Sequence, residues 1–349
     1  MLIFLGILAV FLGIAFYAVF IEPRRLKAKH YLIRKNKARV LDISNAYDLF
    51  TADSDVVIAH LSDFHFSHWY KPKRINKIIR SIMENQPDLI VFTGDLLDDY
   101  KHWPVKQTNR LIEKLKKLHA PMGKIAVLGN HDYKSDGKHF VLEILHEAGF
   151  TVLTNESVFG SDAQVSMTIA GIEDPSSGQA RYNYESTLAE WHILLVHQPD
   201  SIQHVKNLAI YDLVLAGHSH GGQIRLPFYQ VKNAGATRYT HSLYLPTKQT
   251  ILSVSTGIGT TMLPARFRVP PEILYYHLSN KTEAFSTDFT DIKNKIKQKT
   301  NLSPINPTPP QDTEKKENPP ETVAKQSGKI VSLAPYRRIK KEQLEREVL

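Results

Sequence analysis

Val56-Val57-Ile58-Ala59-His60-Leu61-Ser62-Asp63-Phe64-His65 sets a short apolar run directly against an aspartate and a histidine. The run reads as a buried strand whose end carries polar groups. Leu89-Ile90-Val91-Phe92 repeats the arrangement and leads to Gly94-Asp95, and Ile125-Ala126-Val127-Leu128 leads to Gly129-Asn130. Between these runs, Ile75, Ile78, Ile79 and Ile82 share one face of a helix expected over 73–84. Leu111, Ile112, Leu115 and Leu118 mark a second helix, and a third is expected around 140–146. This β-α-β-α-β order argues for an α/β fold with parallel strands. Farther along, strands are expected at 167–170, 192–196, 212–215, 223–226 and 251–254, with a short helix near 201–206. Strands inside and helices outside make a layered α/β sandwich.

Five short motifs fall at these strand ends or in the loops that follow: Asp63-Phe64-His65, Gly94-Asp95, Gly129-Asn130-His131-Asp132, His197, and Gly217-His218-Ser219-His220. The carboxyl ends of strands in an open α/β sheet form the ligand crevice, so residues far apart in sequence can converge there. Singly, each motif has an ordinary reading. Gly-Asp is a common turn, a lone histidine is usually a core or surface residue, and Asn or Asp caps a helix. Their joint occurrence, in order, points to chemistry. Hydrolysing a phosphoester brings hydroxide to a phosphorus shielded by negative oxygens. Two divalent ions roughly 3.5–4 Å apart lower the pKa of a bridging water and neutralise those oxygens. Two close cations need an anion between them, which an aspartate supplies. Imidazoles and one amide oxygen suit the other positions and favour Mn, Fe or Zn over Ca.

The ordered set resembles the calcineurin-like metallophosphoesterase superfamily, over about residues 55–280. That resemblance implies a four-layered α/β/β/α sandwich. It assigns one metal to Asp63, His65, Asp95 and His220, and a second to Asp95, Asn130, His197 and His218, with Asp95 as the bridge. The pair of divalent ions is expected to be Mn2+, with Zn2+ or Fe as the other options. His131 takes the place of the family's catalytic histidine, which meets the phosphoryl group and protonates the leaving oxygen. Asp132 is expected to orient His131, or else to cap the helix that follows. Gly217 to Ile224, Leu226-Pro227, Gly257-Ile258-Gly259-Thr260 and Leu263 to Arg268 are similar to bacterial members with an N-terminal hydrophobic segment. That branch includes secreted phosphoesterases and a UDP-2,3-diacylglucosamine pyrophosphatase of lipid A biosynthesis. Arg266 and Arg268 are candidates for substrate phosphate, since arginine matches phosphate geometry bidentately.

Upstream, residues 1–21 carry no charged side chain, long enough to cross a membrane as a helix. A cleaved signal peptide would carry positive charge before the apolar run, and here there is none. Eight Lys/Arg follow between Arg24 and Arg39. The basic side of a span stays cytoplasmic, which places the body at the cytoplasmic face of a bacterial inner membrane. An enzyme held there meets an acylated nucleotide sugar, and this orientation favours the pyrophosphatase over secreted relatives. The expected divisions are an anchor at 1–21, a basic juxtamembrane segment at 22–50, the metallophosphoesterase domain at 51–285 and a low-complexity, disordered tail at 286–349. Residues 21–40 carry net +7 and 281–349 net +4; taken from the whole chain's +9, they leave −2 for 41–280. A near-neutral body lacks the field that tracks a nucleic-acid backbone, so no nucleic-acid partner is expected. The chain has no cysteine, which excludes disulfides, thiolate metal sites and a cysteine nucleophile.

Overall fold

The structure, a computed structural model, describes residues 1–35, 39–45, 49, 52–161, 165–183 and 188–280. The expected tail at 286–349 lies outside the described residues. Helix α1 (Leu2–Phe16) continues through further helical turns to Arg24. This 23-residue stretch is long and apolar enough to cross a membrane, and only 6% of its most apolar window is buried.

Two sheets follow. Chain order is β1 (Lys27–Arg34), β2 (Arg39–Asp42), β3 (Val56–Leu61), α2 (Asn76–Asn85), β4 (Leu89–Phe92), α3 (Thr108–Lys116), β5 (Lys124–Ala126), α4 (Asn130–Tyr133), α5 (Lys138–Glu147) and β6 (Thr151–Val152). Then come β7 (Glu156–Ser161), β8 (Ser166–Gly171), β9 (Trp191–Leu195), β10 (Leu213–Ala216), β11 (Arg225–Leu226), β12 (Tyr229–Gln230), β13 (Ser242–Tyr244), β14 (Ile251–Val254) and β15 (Glu272–Ser279). The first sheet runs β2-β1-β15-β3-β4-β5-β6 and the second β13-β14-β10-β9-β8-β7. Strand β3 shows why the apolar runs are continuous. Val56 and Ile58 point between the sheets, while Ala59 and Leu61 point to the helices, so both faces are buried. The helices α2, α3 and α5 cover the outer face of the first sheet. Over the second sheet, the fourth layer consists of loops and 3-10 turns, among them Pro199–His204 and Leu208–Ile210.

Two expectations need correction, and one strand was unforeseen. Residues 22–50 are not a separate juxtamembrane segment, because β1 and β2 belong to the first sheet. Lys27, Lys29 and Arg34 disguise β1 in the sequence, and Lys29 is neutralised by Glu272 at 2.6 Å. Strand β15, also unforeseen, lies between β1 and β3. Of residues 223–226, only Arg225 and Leu226 form a strand. They pair with β12 in a hairpin outside both sheets.

The register sets where the apolar helix leaves the body. Strand β15 is antiparallel to β3, with Leu274 opposite His60, and parallel to β1, with Glu272 opposite Lys27. The start of β1 therefore lies at the edge where β3 ends in Asp63. Backbone and side-chain bonds dock the helix base there. Arg266 N–H donates to the Ala18 carbonyl at 2.8 Å, and buried Glu22 accepts from Val269 N–H at 2.5 Å.

His60 is buried between the sheets, near Thr93 Oγ1 at 2.8 Å and the Tyr276 hydroxyl at 3.3 Å. Burial pushes its pKa down to about 3, and burial with the neighbouring His30 pushes His277 down to about 4. Both rings are neutral in the folded chain where an unfolded histidine is already charged. Below about pH 6.5 the unfolded state binds more protons, so stability falls with falling pH. We expect a loss of about 2–3 kcal/mol between pH 6 and pH 5 from this pair. Chemical unfolding of the full chain at the two pH values checks it, and a flat dependence would contradict neutral burial.

Candidate metal centre

Five of the seven expected ligands have left-handed backbones: Asp63 (φ 53°), His65 (φ 45°), Asp95 (φ 60°), His218 (φ 66°) and His220 (φ 48°). Each such residue costs on the order of 1 kcal/mol and persists only where its surroundings hold it. Here each turn folds a side chain back over a strand end. The restraint comes from close packing and from backbone donors. A Cβ on Gly217 would stand 1.9 Å from Ser62 Oγ, and one on Gly129 would stand 2.2 Å from Asp95 Oδ1. His218 N–H donates to the Asp63 carboxylate at 3.0 Å, and His131 N–H donates to Asp95 Oδ1 at 2.8 Å.

All seven side chains converge, in two groups that share Asp95. In the first, His65 Nε2 lies 3.3 Å from Asp95 Oδ2 and 2.9 Å from His220 Nε2, and His220 Nε2 lies 3.5 Å from Asp63 Oδ1. In the second, His197 Nε2 lies 3.2 Å from Asp95 Oδ2, 3.1 Å from Asn130 Oδ1 and 3.2 Å from His218 Nδ1.

The opposite ring nitrogens fix the tautomers. His197 Nδ1–H donates to the Thr93 carbonyl at 2.6 Å, and His218 Nε2–H donates to the Ala234 carbonyl at 2.6 Å. His65 Nδ1 faces Asp98 Oδ1 at 3.2 Å. The inward nitrogens of these three rings thus present lone pairs to one another and to carboxylates, as in histidines whose outer nitrogen is held by a carbonyl or carboxylate so that the inner one can bind a metal. Electrostatics agree. Burial would lower His65, but the neighbouring carboxylates of Asp63, Asp98 and Asp95 raise it to about 9, and Asp95 raises His197 against the same penalty. Burial outweighs the nearby carboxylates at His220 and, with the His197 charge adding to it, lowers His218. Protons are drawn to places that a cation would fill. The two buried carboxylates, four imidazoles and one amide oxygen fit a pair of divalent ions.

The other expected residues fall differently. Asp132 does not touch the His131 ring. Its buried carboxylate accepts N–H bonds from Asp95 (2.8 Å), Leu96 (2.8 Å) and Gly129 (2.9 Å), capping α4 and fixing the Asp95 turn. Burial and the Asp95 charge push it up to about 6 against those bonds. The His131 ring is held instead by Asp98, whose carbonyl accepts from Nδ1 at 2.6 Å and whose Oδ1 lies 3.4 Å away. Asp98 escaped sequence reasoning because it belongs to no motif. An acid three residues after the Gly94-Asp95 pair was the only signal. Arg266 does not face a substrate. It is fully buried and donates to the carbonyls of Gly259 (2.9 Å), Val269 (3.1 Å) and Thr256 (2.9 Å), with Nη2 3.5 Å from His220 Nδ1. Arg268 is exposed, and among the described residues no hydrogen bond or ion pair joins it to the cluster.

The pattern described as calcineurin-like phosphoesterase matches residues 56–222. The uncharacterized metallophosphoesterase YkuE of Bacillus subtilis is 34% identical over 272 residues, 76% of this chain and 89% of the relative. The UDP-2,3-diacylglucosamine pyrophosphatase LpxG of Chlamydia muridarum is 30% identical over 277 residues, 62% of this chain and 81% of the relative. Among solved structures, a dimetal phosphatase from Danio rerio is 9% identical with a TM-score of 0.41, over 65% of this chain and 94% of that one. The chain belongs to the calcineurin-like phosphoesterase family. It is a hydrolase of phosphoester or pyrophosphate bonds.

Proposed function

We propose that the enzyme is anchored in the bacterial inner membrane by residues 2–24, faces the cytoplasm, and cleaves UDP-2,3-diacylglucosamine to UMP and 2,3-diacylglucosamine 1-phosphate. The observation that carries this reading is positional. The apolar helix ends at the same sheet edge where the ligand cluster converges, so an anchored body presents that edge to the bilayer. Exposed apolar tips support it. Phe228 and Met262 are almost fully exposed, and Leu263 is 59% exposed. They lie on the hairpin and loop that follow His220, joined by Gln223, whose amide donates to the Thr261 and Leu263 carbonyls. Apolar side chains at that level suit the interfacial zone of a membrane. The 30% identity to LpxG points the same way.

When bound, a divalent pair would supply activated water and neutralise phosphoryl charge; Asp63, His65, Asp95 and His220 would hold one ion, and Asp95, Asn130, His197 and His218 the other. The chain's own part is positioning and proton delivery. Asp98 holds His131 by Nδ1, which leaves Nε2 as the ring nitrogen that delivers a proton to the leaving oxygen. Asp132 keeps the Asp95 turn in place through its N–H bonds.

Purified full-length protein with Mn2+ and UDP-2,3-diacylglucosamine should release UMP. Failure there, with good turnover of bis-p-nitrophenyl phosphate, would reassign the enzyme to another cell-envelope or nucleotide phosphoester. His131→Ala is expected to lower kcat by roughly 10²–10⁴-fold with bound metal unchanged. Metal lost together with activity would make His131 a ligand rather than an acid.

A further inference from the structure

A second basic feature lies beside the end of the apolar helix, apart from the ligand cluster. A cavity of about 420 Å³ opens there. Five cations line it: Arg24 at the helix end, then Lys71, Lys73, Arg74 and Lys77 from the loop after β3 and the start of α2. Its lining contains no acid. Among the described residues, none of the five forms an ion pair with a carboxylate. Lys77 donates to the Arg24 carbonyl at 2.8 Å, tying the two sides together. Burial lowers the pKa of Arg74, against the pull of Tyr70 and with the Arg24 charge adding to the effect. The floor is apolar, from Leu26, Ile78 and Pro271. Trp69, also in the lining, is 71% exposed.

Depth decides the ligand. The stretch from Leu2 to Arg24 is long and apolar enough to cross a hydrocarbon core of about 30 Å, and its base is docked on the body from Ala18 onward, so Arg24 stands at the headgroup level. An exposed tryptophan at that level is typical of the interface. We infer that this cavity binds the phosphate headgroup of an anionic glycerophospholipid, with the cations on the phosphate and the apolar floor under the glycerol and first methylenes. Lipid seated there would fix the rotation of the body on its anchor, and so hold the catalytic edge against the bilayer. The inference rests on the membrane anchorage proposed above, but not on the substrate.

The test uses the full chain. Carbonate extraction of membranes comes first: a chain that washes off would sink the anchorage and this inference with it. Native mass spectrometry of the detergent-solubilised chain then compares phosphatidylglycerol with phosphatidylcholine. The unaltered chain should retain phosphatidylglycerol preferentially. Lys71→Ser with Lys73→Ser should weaken that retention about tenfold or more, with near-UV circular dichroism unchanged, because each interfacial cation contributes separately. Lys71→Arg with Lys73→Arg should restore it. Excess sn-glycerol 3-phosphate should not displace the lipid. Equal retention of both lipids by an integral chain, or an undiminished preference in the serine variant, would overturn the inference. So would displacement by glycerol 3-phosphate, which would make the cavity a site for soluble phosphates.

Discussion

Asp95→Ala is expected to abolish metal-dependent turnover of bis-p-nitrophenyl phosphate, by roughly 10³-fold or more, equivalent to about 4 kcal/mol at the transition state. The geometry explains why this one side chain matters most. Asp95 Oδ2 is within 3.3 Å of His65 and 3.2 Å of His197, the one carboxylate common to both groups. Its other oxygen accepts from His131 N–H. Removing it takes the shared anion from between two sites meant for cations and frees the loop that carries His131. Both ions should therefore be lost, and elemental analysis of the purified variant should show it. His131→Ala should keep its metal, so the two variants separate holding the ions from using them. Turnover preserved in Asp95→Ala would end the assignment of Asp95 as the bridge.

Arg266→Ala should be the most destabilising single change outside the ligand set, by about 3–5 kcal/mol. The guanidinium is fully buried, and burial lowers its pKa to about 10, which leaves it charged at neutral pH. Its donors hold three carbonyls of the 256–269 loop, beneath His220 and beside the base of the apolar helix. Alanine would leave those carbonyls unpaired and a cavity in their midst. Lysine would restore the charge but not the planar fork, so Arg266→Lys should recover little. Thermal unfolding of metal-loaded protein checks both variants. A melting temperature within 2 °C of the parent would place the strength of this loop elsewhere.

Much of the fold was legible because its central strands are buried on both faces. Such strands appear as unbroken apolar runs, and β3, β4, β9, β10 and β14 lie where those runs lie. Helices α2 and α3 were equally plain from their isoleucine and leucine spacing, and α5 lies where a third helix was expected. Strands β1 and β15, which lie between β2 and β3 in the first sheet, were not. Strand β1 alternates lysine with apolar residues and follows an apolar helix, so its charge reads as a membrane flank. Lys29 is paired there with Glu272, 243 positions later.

The ligand set was legible for a related reason. Metal chemistry demands particular atoms, and strand ends are where an α/β sheet gathers them. The supports of those ligands were not, since any carbonyl or carboxylate at the right place suffices. Thr93 and Ala234 set histidine tautomers by main-chain oxygens, which no side chain in the sequence betrays. Asp98 rather than Asp132 holds His131 because α4 turns the Asp132 carboxylate away toward the backbone of Asp95 and Leu96. Arg266, a candidate for phosphate by its chemistry, is drawn inside by three carbonyls.

By itself the sequence determined the α/β class, the apolar helix and the identity of the seven side chains that converge at the strand ends, because each follows from local pattern or from the elements a reaction requires. Only the tertiary structure decided which end of the sheet meets that helix, which arginine is buried and which acid holds the His131 ring. Those depend on register and on contacts between residues up to 247 positions apart, which one-dimensional pattern does not carry.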